Sequence, residues 1–218
     1  MPTSLLSTQK LLFIGDSITD CGRRERDIPL GVGYVRMLAD LLLIREPKKK
    51  IQVINRGISG HTVDDLRARW SDHVLAFRPD QLVVKIGIND INRWVSNPEQ
   101  NPKQSPQEFA SIYEQVIALT RAELPQCKVL LVSPFYASKE KQPNAYRSQV
   151  LGVIPGYVSN IKKIAEQHQT AFLDLHDAVQ ALLTAGLLAD SFAEDAVHPS
   201  PAGALFIAEQ IYQSLAKS

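Results

Sequence analysis

Residues 10–22, KLLFIGDSITDCG, run from apolar Leu11–Ile14 into Gly15 and then into Asp16, Ser17, Thr19 and Asp20. A serine placed at the end of a strand is a candidate nucleophile, but Gly, Asp and Ser are also what strand-ending turns are made of. Acyl transfer through a serine needs three further things: a base within hydrogen-bond reach, a group that orients the base, and N–H donors for the developing oxyanion. EDAVHPS, residues 194–200, supplies candidates for the first two in Asp195 and His198. Pro199 disfavours the α region for His198, so the imidazole stands on extended chain. A turn over 195–198 then lets the Asp195 carboxylate reach one ring nitrogen and leaves the other facing outward. On these residues alone, an aspartate that caps a turn beside a histidine that merely packs accounts for the same letters.

Oxyanion donors come from two further blocks. NRGISGHT, residues 55–62, contains Gly60, whose backbone N–H is open to close approach because no side chain covers it. IGIND, residues 86–90, contains Asn89, whose amide carries N–H groups of its own. With the Ser17 N–H, three donors can converge; a helix-preceding turn glycine and an Asx turn are the plainer readings of the two new ones. Ser59 lies in GISGH, which misses the G-x-S-x-G nucleophile elbow because His61 holds the last position. GVGY at 31–34 lacks the third glycine of a dinucleotide fingerprint and follows no strand. No P-loop occurs and no histidine pair has metal-ligand spacing, so the reaction is expected to run without metal or cofactor.

The elements that must position these residues alternate. Short apolar runs at 10–15, 51–54, 81–87, 128–133 and 170–174 are apolar on both faces, as covered parallel strands are. Helical patterns lie at about 32–45, 62–77, 106–124, 146–168, 175–186 and 201–217, the last with Ser200 as N-cap and Pro201 at its first position. This repeated βαβ order predicts one α/β domain over 1–218 with a parallel sheet and right-handed crossovers. Segments 88–105 and 134–145 read as long irregular loops. Loops after strands sit where open α/β sheets bind ligands, so 15–20, 55–61, 87–94 and 134–145 are predicted to share one edge of the sheet.

Composition narrows the partners. The 218 residues carry 24 basic and 23 acidic side chains, a net charge of +1, which gives no reason to expect nucleic acid or an anionic membrane. Cys21 and Cys127 are far apart and read as free thiols in a reducing compartment. With no secretory pattern at the start and no membrane-length apolar run, the expected location is cytoplasmic.

Taken jointly, GDS with Ser17, GxSG with Gly60, GxND with Asn89 and DxxH with Asp195 and His198 resemble the four ordered blocks of the GDSL-type SGNH hydrolases. The resemblance implies a flavodoxin-like three-layer α/β/α sandwich around a five-stranded parallel sheet. It also implies a triad of Ser17, His198 and Asp195, and an oxyanion hole of the Ser17 and Gly60 N–H groups with the Asn89 side chain. LLFIGDSITDCGR, NRGISGHTVDDLRARW, SPFY and VHPSPAG look like the intracellular acetylxylan esterase branch. Members of that branch deacetylate xylo-oligosaccharides and form ring-shaped octamers, so a homo-oligomer is implied here. Glu194 stands where the branch tends to have an aromatic residue, and INRW replaces VWRQ after GIND.

The expected function is therefore a serine esterase for small acyl groups on carbohydrates. A broader esterase, thioesterase or lysophospholipase is the first alternative. A non-catalytic glycan-binding protein and a nucleotide-binding flavodoxin-like protein are more remote ones. Asp16, Asn92 and Trp94 are the candidate substrate contacts, with Trp94 placed to stack on a sugar face.

Overall fold

The computed structural model describes residues 10–217. Five strands, β1 (Lys10–Gly15), β2 (Gln52–Asn55), β3 (Gln81–Lys85), β4 (Lys128–Val132) and β5 (Ala171–Leu173), form one all-parallel sheet in the order β2-β1-β3-β4-β5. The middles of the central strands are buried, Leu11–Ile14 and Leu82–Val84 among them, which is why these stretches read as apolar runs rather than alternation.

Parallel neighbours are joined by crossover connections, and helices supply them here. The chain moves from β1 outward to β2 through α2 (Tyr34–Arg45), then reverses through α3 (Val63–Ala68) to reach β3 on the other side of β1. After the reversal it continues in one direction through α6 (Pro106–Glu123) and α7 (Tyr146–Gln167), and these pack with α3 as one layer. The last helix, Pro201–Lys217, packs on α2 to form the other layer. The α/β/α sandwich expected from the sequence is present, and the strand order reverses between β1 and β3. A crevice opens at such a reversal, beyond the carboxyl ends of the strands.

Two expectations about helices need correction. The stretch 62–77 is not one helix: α3 gives way to α4 (Trp70–His73) and then to a 3₁₀ turn at Leu75–Phe77. The break falls at Arg69, whose guanidinium turns inward to donate to the carbonyls of Gly15 (2.9 Å) and Arg56 (2.7 Å). The stretch 88–105 is not irregular throughout, because it opens with α5 (Ile88–Ser96). Asn and Asp are poor helix formers, but Ile88 and Ile91 are buried and Val95 packs against the core, giving α5 its apolar side.

Candidate active site

A four-residue helix, α1 (Ser17–Asp20), follows β1 directly. Asp16 is its N-cap, with Oδ1 accepting the Ile18 N–H at 3.0 Å. Ser17 is therefore the first helical residue, and its N–H is one of the donors a helix leaves without an internal acceptor.

Ser17 Oγ lies 2.9 Å from His198 Nε2, and His198 Nδ1 lies 2.6 Å from Asp195 Oδ2. A carboxylate can only accept, so Nδ1 carries the proton donated to Asp195 and Nε2 accepts the Ser17 hydroxyl. The other carboxylate oxygen, Oδ1, accepts the backbone N–H groups of Val197 (2.9 Å) and His198 (2.7 Å). The DxxH spacing of Asp195 and His198 allows this turn. Burial alone would raise the Asp195 carboxyl, but hydrogen bonds from the His198 ring and from the His198 and Val197 N–H groups outweigh it and hold the group below the ordinary carboxylate range.

The turn needs Ala196 at φ 68°, in the left-handed region that a residue with a Cβ seldom occupies. It is held there from both sides. The Ala196 N–H donates to Ala193 O (3.0 Å), and Ala196 O accepts the Ala137 N–H (2.9 Å). Segment 134–145 thus runs along the loop that carries His198, with Phe135, Tyr136 and Ala137 buried beneath. A cavity of about 350 Å³ opens against Glu194, Asp195 and His198.

The loop after β2 is fastened to the serine's helix. A Cβ at Gly57 would stand 2.2 Å from the Asp20 backbone nitrogen, so only glycine permits this approach. Asn55 Oδ1 accepts the Gly57 N–H (2.9 Å), and its Nδ2 donates to Thr19 O (2.6 Å). The buried Asp20 carboxylate takes the N–H and hydroxyl of Ser59. Gly60 follows at φ 81°, with nothing within 4 Å of where a Cβ would stand. From α5, Arg93 Nη2 donates to Gly60 O (3.1 Å) and Asn89 Nδ2 donates to His61 O (2.9 Å). An amide nitrogen carries two hydrogens, so Asn89 keeps one donor beyond the bond to His61. Beside it, burial pushes the Asp90 carboxyl up to about 7, against the Val63 N–H that both its oxygens accept.

The three candidate substrate contacts fare differently. Asp16 is fully buried, capping α1 from below, and so stands behind Ser17 rather than against a ligand. Asn92 is half-buried at the rim, its Oδ1 accepting the Tyr146 hydroxyl at 3.1 Å. Trp94 is turned about 140° around the α5 axis from Asn89 at 3.6 residues per turn, whereas Asn92 and Arg93 flank Asn89. The helix that sequence reading missed is what separates them.

Other residues gave no motif to find them by. Tyr146 and Arg147, at the start of α7, bridge the two sides of the mouth, the first to Asn92 and the second donating to Glu194 O (3.2 Å). Lys85, opposite Gly15 at the end of β3, is wholly buried with Nζ 5.2 Å from the centre of the Phe135 ring. Burial lowers its pKa, and the Asp16 carboxylate opposes that shift. Among the described residues, no group of His, Cys, Asp and Glu is arranged to hold a metal ion.

Comparison with known proteins finds relatives across nearly the whole chain. Residues 13–205 match the GDSL-like Lipase/Acylhydrolase family. An acetylxylan esterase of Geobacillus stearothermophilus is 37% identical over 216 residues, covering 96% of this chain and 94% of the relative. The crystal structure of that organism's acetylxylan esterase Axe2 superposes with a TM-score of 0.85 at 35% identity, covering 96% and 95% of the two chains. Solved forms of Axe2 include catalytic mutants in which a histidine, a serine or an aspartate is replaced by alanine. LAE5, an alpha/beta hydrolase enzyme from the metagenome of Lake Arreo, superposes with a TM-score of 0.83 at 29% identity. With its sheet, its serine after β1 and its sequence all in agreement, the chain belongs to the GDSL-like lipase/acylhydrolase family of SGNH-type esterases.

Proposed function

We propose that this esterase removes acetyl groups from acetylated carbohydrates, with xylo-oligosaccharides as the leading substrate class. The observation that carries the chemistry is the hydrogen-bonded chain Ser17–His198–Asp195. Ser17 Oγ attacks the ester carbonyl while His198 Nε2 takes its proton. His198 then gives that proton to the departing sugar oxygen, leaving an acetyl-enzyme. Water attacks the acetyl carbon with His198 again as base, releasing acetate and restoring the serine. Asp195 holds the ring in the productive tautomer and stabilises the imidazolium.

The oxyanion formed in each step is assigned to the N–H groups of Ser17 and Gly60 and to Asn89. Each such donor is worth on the order of 3 kcal/mol of transition-state stabilisation. A polar rim of Asn92, Tyr146 and Arg147 suits a hydroxylated leaving group, and the name of the Geobacillus relative supports acetylated xylan. Self-association as a homo-oligomer belongs to the same reading. Leu43 and Ile44 on α2, 72% and 75% exposed, favour it, and light scattering on the purified protein measures it.

The test compares p-nitrophenyl acetate and octanoate hydrolysis by the wild type and Ser17→Ala. Cleavage of acetate well above octanoate, with the variant silent, sustains the proposal and leads on to acetylated xylo-oligosaccharides. Preference for octanoate removes the sugar reading in favour of lipid esters. A variant that keeps its rate removes Ser17 from the nucleophile's role.

A further inference from the structure

A second cavity, of about 400 Å³, runs beside β2 at the open edge of the sheet. Its walls hold three cations, Lys10, Arg23 and Arg56, and none of its lining residues is acidic. Lys10 and Gln52 pair across β1 and β2 at one end, and Arg56 immediately follows β2 at the other.

Arg56 is the informative residue. Its guanidinium carbon lies over the Phe77 ring, 4.8 Å from its centre. Its Nε is buried and has no hydrogen-bond partner among the described residues. A buried N–H without an acceptor is unfavourable, and an aromatic face leaves the in-plane donors of the fork unused. Arg23 spends Nε on Gly57 O at 2.6 Å.

The surrounding charge is not balanced locally. Asp20 Oδ1 faces Arg23 at 3.9 Å, beyond hydrogen-bond distance, while Oδ2 of the same carboxylate is engaged by Ser59 and Arg24. Asp80 Oδ2 accepts the Lys10 backbone N–H (2.7 Å). Arg69, close behind, donates to carbonyls and to the rings of His61 and His73 rather than to a carboxylate. The positive surplus is felt by His73, which burial and then Arg56, Arg69 and Arg23 drive down to about 4.

We infer that this cavity is a binding site for a phosphate monoester, separate from the ester-hydrolysing centre, with Arg56, Arg23 and Lys10 as its cationic ligands. Guanidinium forks match the oxygens of a phosphate group, and a dianion answers a cluster of this charge better than a single carboxylate does. The volume exceeds what one phosphate fills and falls in the range of small-molecule sites. Pro29, Val53 and Ala76 give the esterified carbon skeleton an apolar wall.

The test is isothermal titration of the full chain with glucose 6-phosphate, inorganic phosphate and glucose, at ionic strength held constant with sodium chloride. Saturable binding of glucose 6-phosphate is expected, tighter than inorganic phosphate, with none for glucose. Arg56→Gln is expected to weaken it by about 10- to 100-fold, the loss typical of charge-assisted hydrogen bonds. Lys10→Gln, at the exposed end of β1, weakens it less and serves if Arg56→Gln does not fold. Three outcomes overturn the inference: no saturable binding of either anion, binding unchanged in both variants, or inorganic phosphate binding as tightly as the ester. None of these readouts depends on ester hydrolysis, so the two proposals fail independently.

Discussion

Asp20 and Ser59 are joined twice: one buried carboxylate oxygen accepts both the backbone N–H and the hydroxyl of the serine, each at 3.1 Å. This pair ties the loop bearing Gly60 to the helix bearing Ser17, and it accounts for a hydroxyl that superficially resembled a second nucleophile. Asp20→Ala leaves those donors without an acceptor in a largely enclosed place, which costs roughly 1–3 kcal/mol. Urea unfolding is expected to show that loss, with the esterase rate falling further than stability alone explains. Ser59→Ala, which removes only the hydroxyl, is expected to cost about 1 kcal/mol and to keep most of the activity.

Gly60 separates backbone strain from steric clash. A methyl group added there meets nothing within 4 Å, but φ 81° is unfavourable for any residue with a Cβ. Gly60→Ala is expected to destabilise by about 1–2 kcal/mol and to lower kcat by displacing the N–H. On α5, Asn89→Ala is expected to cost on the order of 10²–10³ in kcat as a lost oxyanion donor. Arg93→Ala, which frees only the Gly60 carbonyl, should cost far less and be partly rescued by Arg93→Lys. Steady-state kinetics on p-nitrophenyl acetate resolve these cases, and equal losses for Asn89→Ala and Arg93→Ala would remove the distinction between donor and support.

The sheet and the residues meeting at its carboxyl edge were legible because their signals are local. Apolar runs such as Leu11–Ile14 and the spacing of Asp195 to His198 each sit within a few residues. The support of the loop after β2 was not legible, since Arg69, Asn89 and Arg93 act on carbonyls far away in sequence. The same limit explains α5. Its asparagines read as loop material, whereas its helical state is fixed by burial of Ile88 and Ile91 against elements that only the fold brings near. Asp16 differs: a polar residue beside the proposed nucleophile suggests a ligand contact, and only the cap to Ile18 reveals its structural post.

Asp195→Asn preserves the shape of the turn but replaces an acceptor-only group with one that can also donate. The His198 ring is then free to take the wrong tautomer, so kcat is expected to fall by on the order of 10³–10⁴. The wild-type carboxyl is held below its ordinary range, and its contribution is present above the unfolded value near 4 and lost as pH falls through the lower folded value. The side chain is 55% exposed, so solvent screens most of its effect on stability. A large kinetic loss beside a nearly unchanged melting temperature is the expected signature, read by circular dichroism and initial rates on the same samples.

Asp90 has the opposite sign. Burial raises its folded pKa to about 7, against an unfolded value near 4. Between those values the folded chain binds more protons than the unfolded chain, so this group makes stability fall as pH rises from 4 to 7 and level off above. Asn keeps an oxygen for the Val63 N–H that Asp90 now accepts at 3.2 Å and never ionises. Asp90→Asn is therefore expected to match the wild type near pH 4 and to exceed it above pH 7 by about 2–4 kcal/mol. Urea midpoints taken at pH 5 and pH 8 measure the difference. A variant less stable than the wild type at pH 8 would mean that the Asp90 carboxylate, once charged, is stabilised by neighbours strongly enough to offset its burial.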